Sequence, residues 1–193
     1  MKRKRQIIIQ IILIAIFGLL LFDRSRLYRT PQEFLRANEK GLHYGPSDKI
    51  LLEGEYTDGY LLVIGKIGDD ALSIGEGKRK LLFFWGMPGG GFTGYRPISE
   101  DKAVMAEYLE RFHMVVGLTN NKDIEEVEFK LFVGRDHAAT ERARVDEDGF
   151  FMVRLDDGLI EKYKESENDY VWFYPLEIKG FDKDGNLIYE ELT

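Results

Sequence analysis

Three aromatic side chains beside a glycine-rich stretch are the residues whose types and spacing best fit ligand binding. Trp85 precedes the run Gly86–Gly94, Tyr95 follows it, and Phe92 lies within it. Aromatic rings offer rigid apolar faces, and such faces can stack on a glycan of the cell wall. We therefore predict a ligand-binding set of Trp85, Phe92 and Tyr95. The alternative is an ordinary connection between two strands.

The glycine-rich stretch does not fit a phosphate-binding loop. Backbone amides that no Cβ atom shields can cradle an anion. However, no Lys-Ser or Lys-Thr pair follows the run, no predicted helix begins directly after it, and Pro88 lacks an N–H donor. The stretch therefore predicts no nucleotide cofactor.

Histidines and the common catalytic motifs indicate no further site. His43, His113 and His137 are too widely spaced in sequence for a local metal motif. His113 ends a predicted helix, and His137 follows Arg135 and Asp136 in what we interpret as a solvated turn. No G-x-S-x-G, S-x-x-K or dinucleotide-binding motif occurs. We predict no metal, no cofactor and no catalytic residues, and the sequence favours a non-enzymatic protein.

Two acidic turns contain the oxygen atoms that calcium prefers but not the pattern of a calcium loop. These turns are Asp146–Gly149 and Asp182–Asn186. One oxygen-bearing position before the glycine is missing, and the twelfth position from Asp182 is Thr193 rather than Glu. We predict that both segments are hairpin turns.

The charge distribution divides the chain in two. The chain has 27 Lys and Arg against 34 Asp and Glu, a net −7; residues 1–29 carry +6 and residues 30–193 the remaining −13. Nucleic acid phosphates repel an acidic body, and its one basic cluster is Lys78–Lys80. We therefore predict no nucleic-acid partner. The lack of Cys excludes disulfides, thiolate metal sites and cysteine nucleophiles.

An apolar run near the start predicts a membrane location. Residues 6–22 contain no charge, and basic residues flank them on both sides. A helix of that length spans roughly 25 Å, the short end of what a bilayer core of about 30 Å needs. We predict a single-pass transmembrane helix that acts as a signal anchor and contacts membrane lipid. A cleaved signal peptide is the alternative, and the small residues of its cleavage site are missing.

Orientation and domain organisation follow from this run. The small excess of Lys and Arg before it predicts a cytoplasmic N-terminus and an extracytoplasmic C-terminal domain at the cell membrane. The predicted segments are a cytoplasmic tail at 1–5, the transmembrane helix at 6–22, a juxtamembrane segment at 23–29 and a β-rich domain at 30–193, with a division into lobes 30–113 and 114–193 left open.

Periodicity and turn residues predict an α+β fold that is mostly antiparallel β. A short helix should run from its N-cap Thr30 to about Lys40, with Pro31 in its first turn, and should lie on the domain surface. A second helix at 99–112 has apolar residues at helical spacing, so we predict that it covers a sheet.

Alternating apolar residues predict the strands. A hairpin at 50–67 continues into strands at 71–74 and 81–85 as a four-strand meander. Later strands are predicted at 127–133, 151–155, 170–174, 177–181 and 187–189. Pro175 indicates an edge position or a bulge.

The segment FYPLEIKGFDKDGNLIYEE carries a resemblance. It resembles the closing hairpin of extracytoplasmic β-sandwich domains in Gram-positive surface proteins, where an I-x-x-[FY]-D-x-D-G-x-[LIV]-[IV] string joins the last two strands. The whole chain is similar to small single-pass membrane-anchored proteins of Bacillus-like bacteria. The resemblance implies location and fold class, and it transfers no catalytic residue.

These observations favour a function in binding. We expect a membrane-anchored, non-enzymatic accessory or interaction module that meets an envelope protein or cell-wall glycan. The alternative is a glycan-binding module or hydrolase that uses the run at 86–94 and its flanking aromatic residues.

Overall fold

The computed structural model describes residues 2–24, 27–56, 59–80, 84–86, 93–133, 137–156, 158 and 175–192. In chain order, its elements are α1 (Lys2–Arg24), α2 (Pro31–Leu42), β1 (Lys49–Glu55), β2 (Tyr60–Ile67), β3 (Ala71–Lys80), β4 (Phe84–Gly86), β5 (Thr93–Pro97), β6 (Val104–Leu109), β7 (Met114–Thr119), β8 (Glu126–Val133), β9 (His137–Arg144), β10 (Phe150–Arg154), β11 (Pro175–Phe181) and β12 (Leu187–Leu192). The predicted strand at 170–174 and most of the glycine-rich run lie outside the described residues.

Sheet A, formed by β1 to β5, contains the hairpin and the meander that the sequence predicts. The strands β1, β2, β3 and β4 pair antiparallel in that order, and β5 joins β3 beside β4. The hairpin predicted at 50–67 is therefore confirmed. β3 is longer than the predicted strand at 71–74, because its first half pairs with β5 and its second half with β4.

Sheets B and C complete three layers. Sheet B has the strand order β10-β7-β6, and sheet C has the order β12-β11-β8-β9. Every residue of β7 is buried. Met114, Val116 and Leu118 pack into an apolar cluster with sheet A, whereas Val115 packs into a second cluster with sheet C. Sheet B is therefore the middle layer, with apolar surface on both faces.

α2 begins as predicted but is more deeply placed than predicted. Thr30 accepts a hydrogen bond from Glu33 N at 3.1 Å and so caps the helix. Phe34 and Leu35 are completely buried, while Gln32, Glu33, Arg36 and residues 40–42 are exposed, so α2 lies on the domain as predicted but with a fully buried apolar side. The reason is the flat surface of β3: a Cβ atom at Gly75 would lie 3.0 Å from Leu35, and the absence of that atom lets the helix approach the sheet closely.

The sheet-covering helix predicted at 99–112 is wrong. Val104–Leu109 form β6, which pairs antiparallel with β7. Glu110–Phe112 make a single 3₁₀ turn that ends at His113 in the left-handed conformation, with φ 49°. Pairing with the apolar strand β7 buries Val104 and Leu109, and this tertiary burial outweighs the local helical signals.

The later strands follow the predicted alternation. Val127, Phe129 and Leu131 of β8 are buried, and β11 and β12 form the closing hairpin. Pro175 lies at the start of β11, where the register with β8 shifts before Glu177. Of the two predicted alternatives, this irregularity agrees with a bulge, whereas the edge position is wrong because β11 pairs with both β8 and β12.

Only one of the two acidic segments is a hairpin turn. Asp182–Asn186 joins β11 to β12 within sheet C. Asp146–Gly149 instead leads from β9 in sheet C to β10 in sheet B, so its prediction as a hairpin is wrong. The reason is that β10 pairs with β7 in the middle layer and not with its neighbour in sequence.

The prediction of a transmembrane helix at 6–22 is contradicted by the structure. α1 begins at Lys2 and includes the basic residues that precede the apolar run. Among the residues that the structure describes, no helix is both long and apolar enough to cross a bilayer.

Candidate functional site

Trp85, the first of the predicted ligand-binding residues, is held inside the fold. Its ring is 9% exposed and belongs to the apolar cluster that contains Phe34 and Leu35. Its backbone exchanges two hydrogen bonds of 2.8 Å with Tyr28. The Arg79 guanidinium carbon lies 5.2 Å from the centre of its ring. The ring is therefore already engaged by the protein.

Tyr95 lies elsewhere on the same face of sheet A. It is 41% exposed, and its ring centre lies 5.4 Å from that of Tyr44. On β3, Tyr95 is opposite Ser73 and Trp85 is opposite Arg79, a separation of about 20 Å at 3.3 Å per residue. The structure does not bring the two rings together. Phe92 lies outside the described residues, so the set of three stays a prediction.

A cleft forms where the ends of the three sheets meet. Its volume is about 590 Å³, and its lining comes from the β2–β3 turn, the segment after β7 and the turn before β10. The lining residues are Lys66, Asp69, Thr119, Asn120, Asn121, Lys122, Ile124, Glu125, Val145, Asp146, Glu147, Asp148 and Gly149. This set contains five carboxylates and two ammonium groups, so the cleft is acidic.

Two lysines fix the wall of this cleft. Lys66 Nζ donates to the Asp148 carbonyl oxygen at 2.7 Å and lies 3.2 Å from Asp69 Oδ1. Lys49 Nζ lies 2.5 Å from Asp148 Oδ2, and this hydrogen bond raises the pKa of Lys49. These contacts connect sheet A to the 146–149 turn, so the shape of the cleft is fixed by side-chain interactions.

The 146–149 turn is shaped by the Asp146 carboxylate and by Gly149. Asp146 Oδ1 accepts hydrogen bonds from Asp148 N and Phe150 N, both at 2.9 Å. Gly149 has φ 79°, and a Cβ atom there would lie 2.3 Å from the Thr119 carbonyl oxygen, which only glycine avoids. The carboxylate is therefore used to form the turn. Among the described residues, no group of three His, Asp or Glu could hold a metal ion.

The cleft offers recognition groups. Thr119 Oγ1 donates to the Ala103 carbonyl oxygen at 2.9 Å and accepts from Asn121 N at 3.2 Å, so this hydroxyl is not positioned by a base. Asn120 and Lys122 lie beside it on the rim. Donors and acceptors on a concave acidic surface suit the binding of a cationic partner segment. The sequence showed the acidic turn, but it gave no signal that this turn meets the end of β7.

A second cleft on sheet C is already occupied by ion pairs. Its volume is about 400 Å³. Arg142 binds Glu126 at 2.9 Å and Glu128 at 2.7 Å, and its guanidinium carbon lies 5.1 Å from the centre of the Phe181 ring. The two carboxylates raise the pKa of Arg142. The guanidinium is thus held by neighbours on the same face.

A buried polar cluster joins α2 to β1. Glu39 is 1% exposed, accepts hydrogen bonds from the Ser47 amide and hydroxyl, and lies 3.6 Å from Arg36. Tyr44 and Ser73 lie next to it, and burial raises the pKa of Tyr44. Because Glu39 and Ser47 are inaccessible, their role is to fix the 43–48 connection.

The histidines do not converge in the described part of the structure. His43 caps α2 in the left-handed conformation, with φ 62°. His113 ends the 3₁₀ turn, and its Nδ1 lies 3.3 Å from the Tyr108 hydroxyl. The side chain of His137 lies outside the described residues.

Comparison with known proteins does not assign a class. The chain matches no protein-family model, no curated protein and no solved structure.

Proposed function

We propose that the chain is a non-enzymatic interaction module of the cell envelope. In this proposal, α1 holds the chain at a lipid surface and the three-layer β body meets a protein partner. The extracytoplasmic placement of the body stays the expectation of the Lys and Arg asymmetry.

The observation that supports the proposal is the uncovered apolar surface of α1. Nine large apolar side chains between Ile7 and Phe17 are each 47–72% exposed. Each would gain roughly 1 kcal/mol or more on transfer from water to an apolar phase. An apolar surface of this size indicates an interaction site. Lipid suits it, because the basic run Lys2–Arg5 that precedes these residues complements anionic headgroups.

The acidic cleft supports the second part of the proposal. It is concave, it carries five carboxylates against two ammonium groups, and its wall is fixed by Lys49 and Lys66. A partner with a basic segment would find complementary charge there. Confinement of the chain to a surface raises its effective concentration toward its neighbours, so a weak contact at the cleft suffices.

Vesicle flotation tests the lipid contact. The full chain, diluted from detergent into lipid vesicles, should float with them. The double variant Ile12→Asp with Ile16→Asp places two charges on one side of α1 and should remain in the aqueous fraction. The matched control Leu187→Asp with Leu192→Asp changes two exposed apolar residues of β12 and should float normally. Flotation of the α1 variant equal to wild type would sink the lipid contact.

Photo-crosslinking tests the partner contact. A photoreactive amino acid at Asn121, in the cleft, should capture a specific protein in cells that express the full chain. The same group at Thr140, on the exposed face of sheet C, serves as the control. Capture of the same proteins from both positions would contradict a partner site at the cleft.

A further inference from the structure

The basic cluster Lys78–Lys80 lies beside the segment that leaves α1. It forms the C-terminal end of β3, where Arg79 pairs with Trp85 and Lys80 with Phe84. Trp85 in turn makes an isolated β-bridge with Tyr28. Leu27 and Lys80 both approach Gly86, where an added Cβ atom would lie 3.5 Å and 3.1 Å from them.

The C-terminal end of β3 is therefore close to the end of α1, because the few residues that follow α1 in the chain contact it. Two residues separate Arg24, the last residue of α1, from Leu27, so their Cα atoms lie within about 11 Å of each other. Among the described side chains, the exposed apolar residues of α1 end at Phe17, about 10 Å of helix before Arg24, so a lipid surface that holds α1 is within reach of the basic cluster.

Aromatic rings arrange the cations at this end. Lys78 Nζ and the Arg111 guanidinium carbon lie 4.6 Å and 4.3 Å from the centre of the Tyr60 ring. Arg79 contacts both the Trp85 ring and Glu55. Lys80 is exposed. We name the set Lys78, Arg79, Lys80 and Arg111 the basic end.

Charged residues are unevenly distributed between the two ends of β3. The strand starts at Ala71, directly after Asp69 and Asp70, and ends at Lys80. Ten residues of strand extend about 30 Å. The acidic cleft, which includes Asp69 and the 146–149 turn, lies at the starting end. Arg79 and Arg111 are paired with Glu55 and Glu76. Lys78 and Lys80 therefore supply the positive charge near α1, and negative charge collects at the far end.

We propose that the basic end binds the phosphate groups of anionic lipids in the surface that holds α1. This inference rests on the proposed function and adds the orientation of the body to it. Each Lys or Arg near an anionic bilayer is attracted to it, and long basic side chains reach headgroups along their apolar stems. The acidic cleft is then held away from the surface, where a partner can reach it.

Site-specific quenching tests the orientation, because the chain contains no Cys. A dye on Gln32→Cys reports from the first turn of α2, near the basic end, and a dye on Asp184→Cys reports from the β11–β12 turn. Vesicles contain a quencher on their headgroups and either neutral lipid alone or a mixture with anionic lipid. With anionic lipid, we expect the Gln32→Cys dye to be quenched at least twice as strongly as the Asp184→Cys dye.

Charge variants test the residues. Lys78→Gln with Lys80→Gln should abolish this twofold difference while flotation through α1 persists. The matched control Lys122→Gln with Lys183→Gln removes the same charge from exposed positions at the cleft and the β11–β12 turn, and should keep the difference. Raising salt from 0.1 to 1 M shortens the screening length from about 10 to about 3 Å and should reduce the difference. Inorganic phosphate at equal ionic strength should do no more than sodium chloride.

The two proposals fail in different ways. If the wild-type chain does not float, the lipid contact itself is wrong. If it floats but both dyes are quenched equally on anionic vesicles, only the orientation is overturned. If the basic end binds a DNA duplex in solution as tightly as it binds anionic vesicles, and through the same two lysines, the lipid assignment is overturned in favour of a nucleic acid.

Discussion

Gly117 shows how tightly the middle layer is packed. A Cβ atom at this position would lie 2.1 Å from Phe151 Cζ and 2.4 Å from the Met105 carbonyl oxygen. The carbonyl is backbone in a paired strand, so it cannot move away. We expect Gly117→Ala to lower the free energy of unfolding by about 2 kcal/mol or more, measured by chemical denaturation.

Gly41 provides the matched control for this prediction. It lies in α2 with no atom within 4 Å of an added Cβ, so Gly41→Ala should stabilise the helix by roughly 0.5–1 kcal/mol. Equal effects of the two substitutions would mean that packing around β7 is looser than the structure indicates.

The predicted glycan contact is best tested at Tyr95. Trp85 is 9% exposed within an apolar cluster, so Trp85→Ala should cost about 3 kcal/mol or more and would confuse lost binding with lost folding. Tyr95→Ser changes a side chain that is 41% exposed and contacts the Tyr44 ring, so it should lower the free energy of unfolding by about 1 kcal/mol, much less than Trp85→Ala. If the aromatic set binds glycan, Tyr95→Ser weakens sedimentation with purified peptidoglycan; unchanged sedimentation removes Tyr95 from the set.

Tyr189 gives the stability of the body a dependence on high pH. Its hydroxyl donates to Glu191 Oε2 at 2.6 Å, and burial followed by this hydrogen bond raises the pKa of Tyr189 to about 12 from 10.0. The neutral phenol is favoured in the folded state, so its contribution is complete below pH 10 and is lost as the pH rises through the folded-state pKa. Urea titrations at about pH 9.5 and about pH 11.5 should show that the free energy of unfolding falls less between these pH values in Tyr189→Phe than in wild type. Equal losses would contradict this role.

Among the elements, those with unambiguous local patterns were predictable. The alternation in β8, the hairpin of β1 and β2 and the cap of α2 at Thr30 are each determined by neighbouring residues. The structure of segment 99–112 was not predictable in this way, because it depends on pairing with β7. Its apolar residues suit both a helical and a strand period, and β7 decides the outcome by pairing with it.

The candidate site was less predictable than the fold. The acidic turn at 146–149 is visible in the sequence, but the cleft requires Lys66, Thr119 and this turn to meet from three different sheets. Likewise, Lys78–Lys80 is visible as a basic cluster, but only the bridge between Tyr28 and Trp85 places it near α1. Contacts between residues far apart in sequence carry both features, and a local pattern contains no information about them.

The N-cap of α2 belongs to the scale of the element. Thr30 Oγ1 accepts from Glu33 N, and Glu33 Oε2 accepts from Arg29 N at 3.0 Å. Thr30→Ala leaves the Glu33 amide without its acceptor and should lower the free energy of unfolding by about 1 kcal/mol. Thr30→Ser keeps the acceptor and should be nearly neutral. A loss as large in Thr30→Ser as in Thr30→Ala would show that the methyl group, not the hydrogen bond, matters.

At the scale of the whole molecule, β7 couples the two apolar clusters. Val115 packs toward sheet C and Val116 toward sheet A, and both are completely buried. The boundary between the lobes left open at 113 and 114 falls between β6 and β7, two strands that are paired along their full length. The lobe division itself stays a prediction, and the coupling through β7 supplies its test.

We expect Val115→Ala and Val116→Ala each to destabilise both clusters together, by roughly 1–3 kcal/mol. Removing two methyl groups on either face of β7 weakens a strand that both clusters share, so neither cluster can keep its stability when the other loses it. Amide hydrogen exchange at Ile64, in sheet A, and at Phe129, in sheet C, should report the same reduced opening free energy in each variant. If Val115→Ala instead lowers protection at Phe129 and leaves Ile64 unchanged, the clusters open independently. The chain would then fold as two lobes in spite of the paired strands that join them.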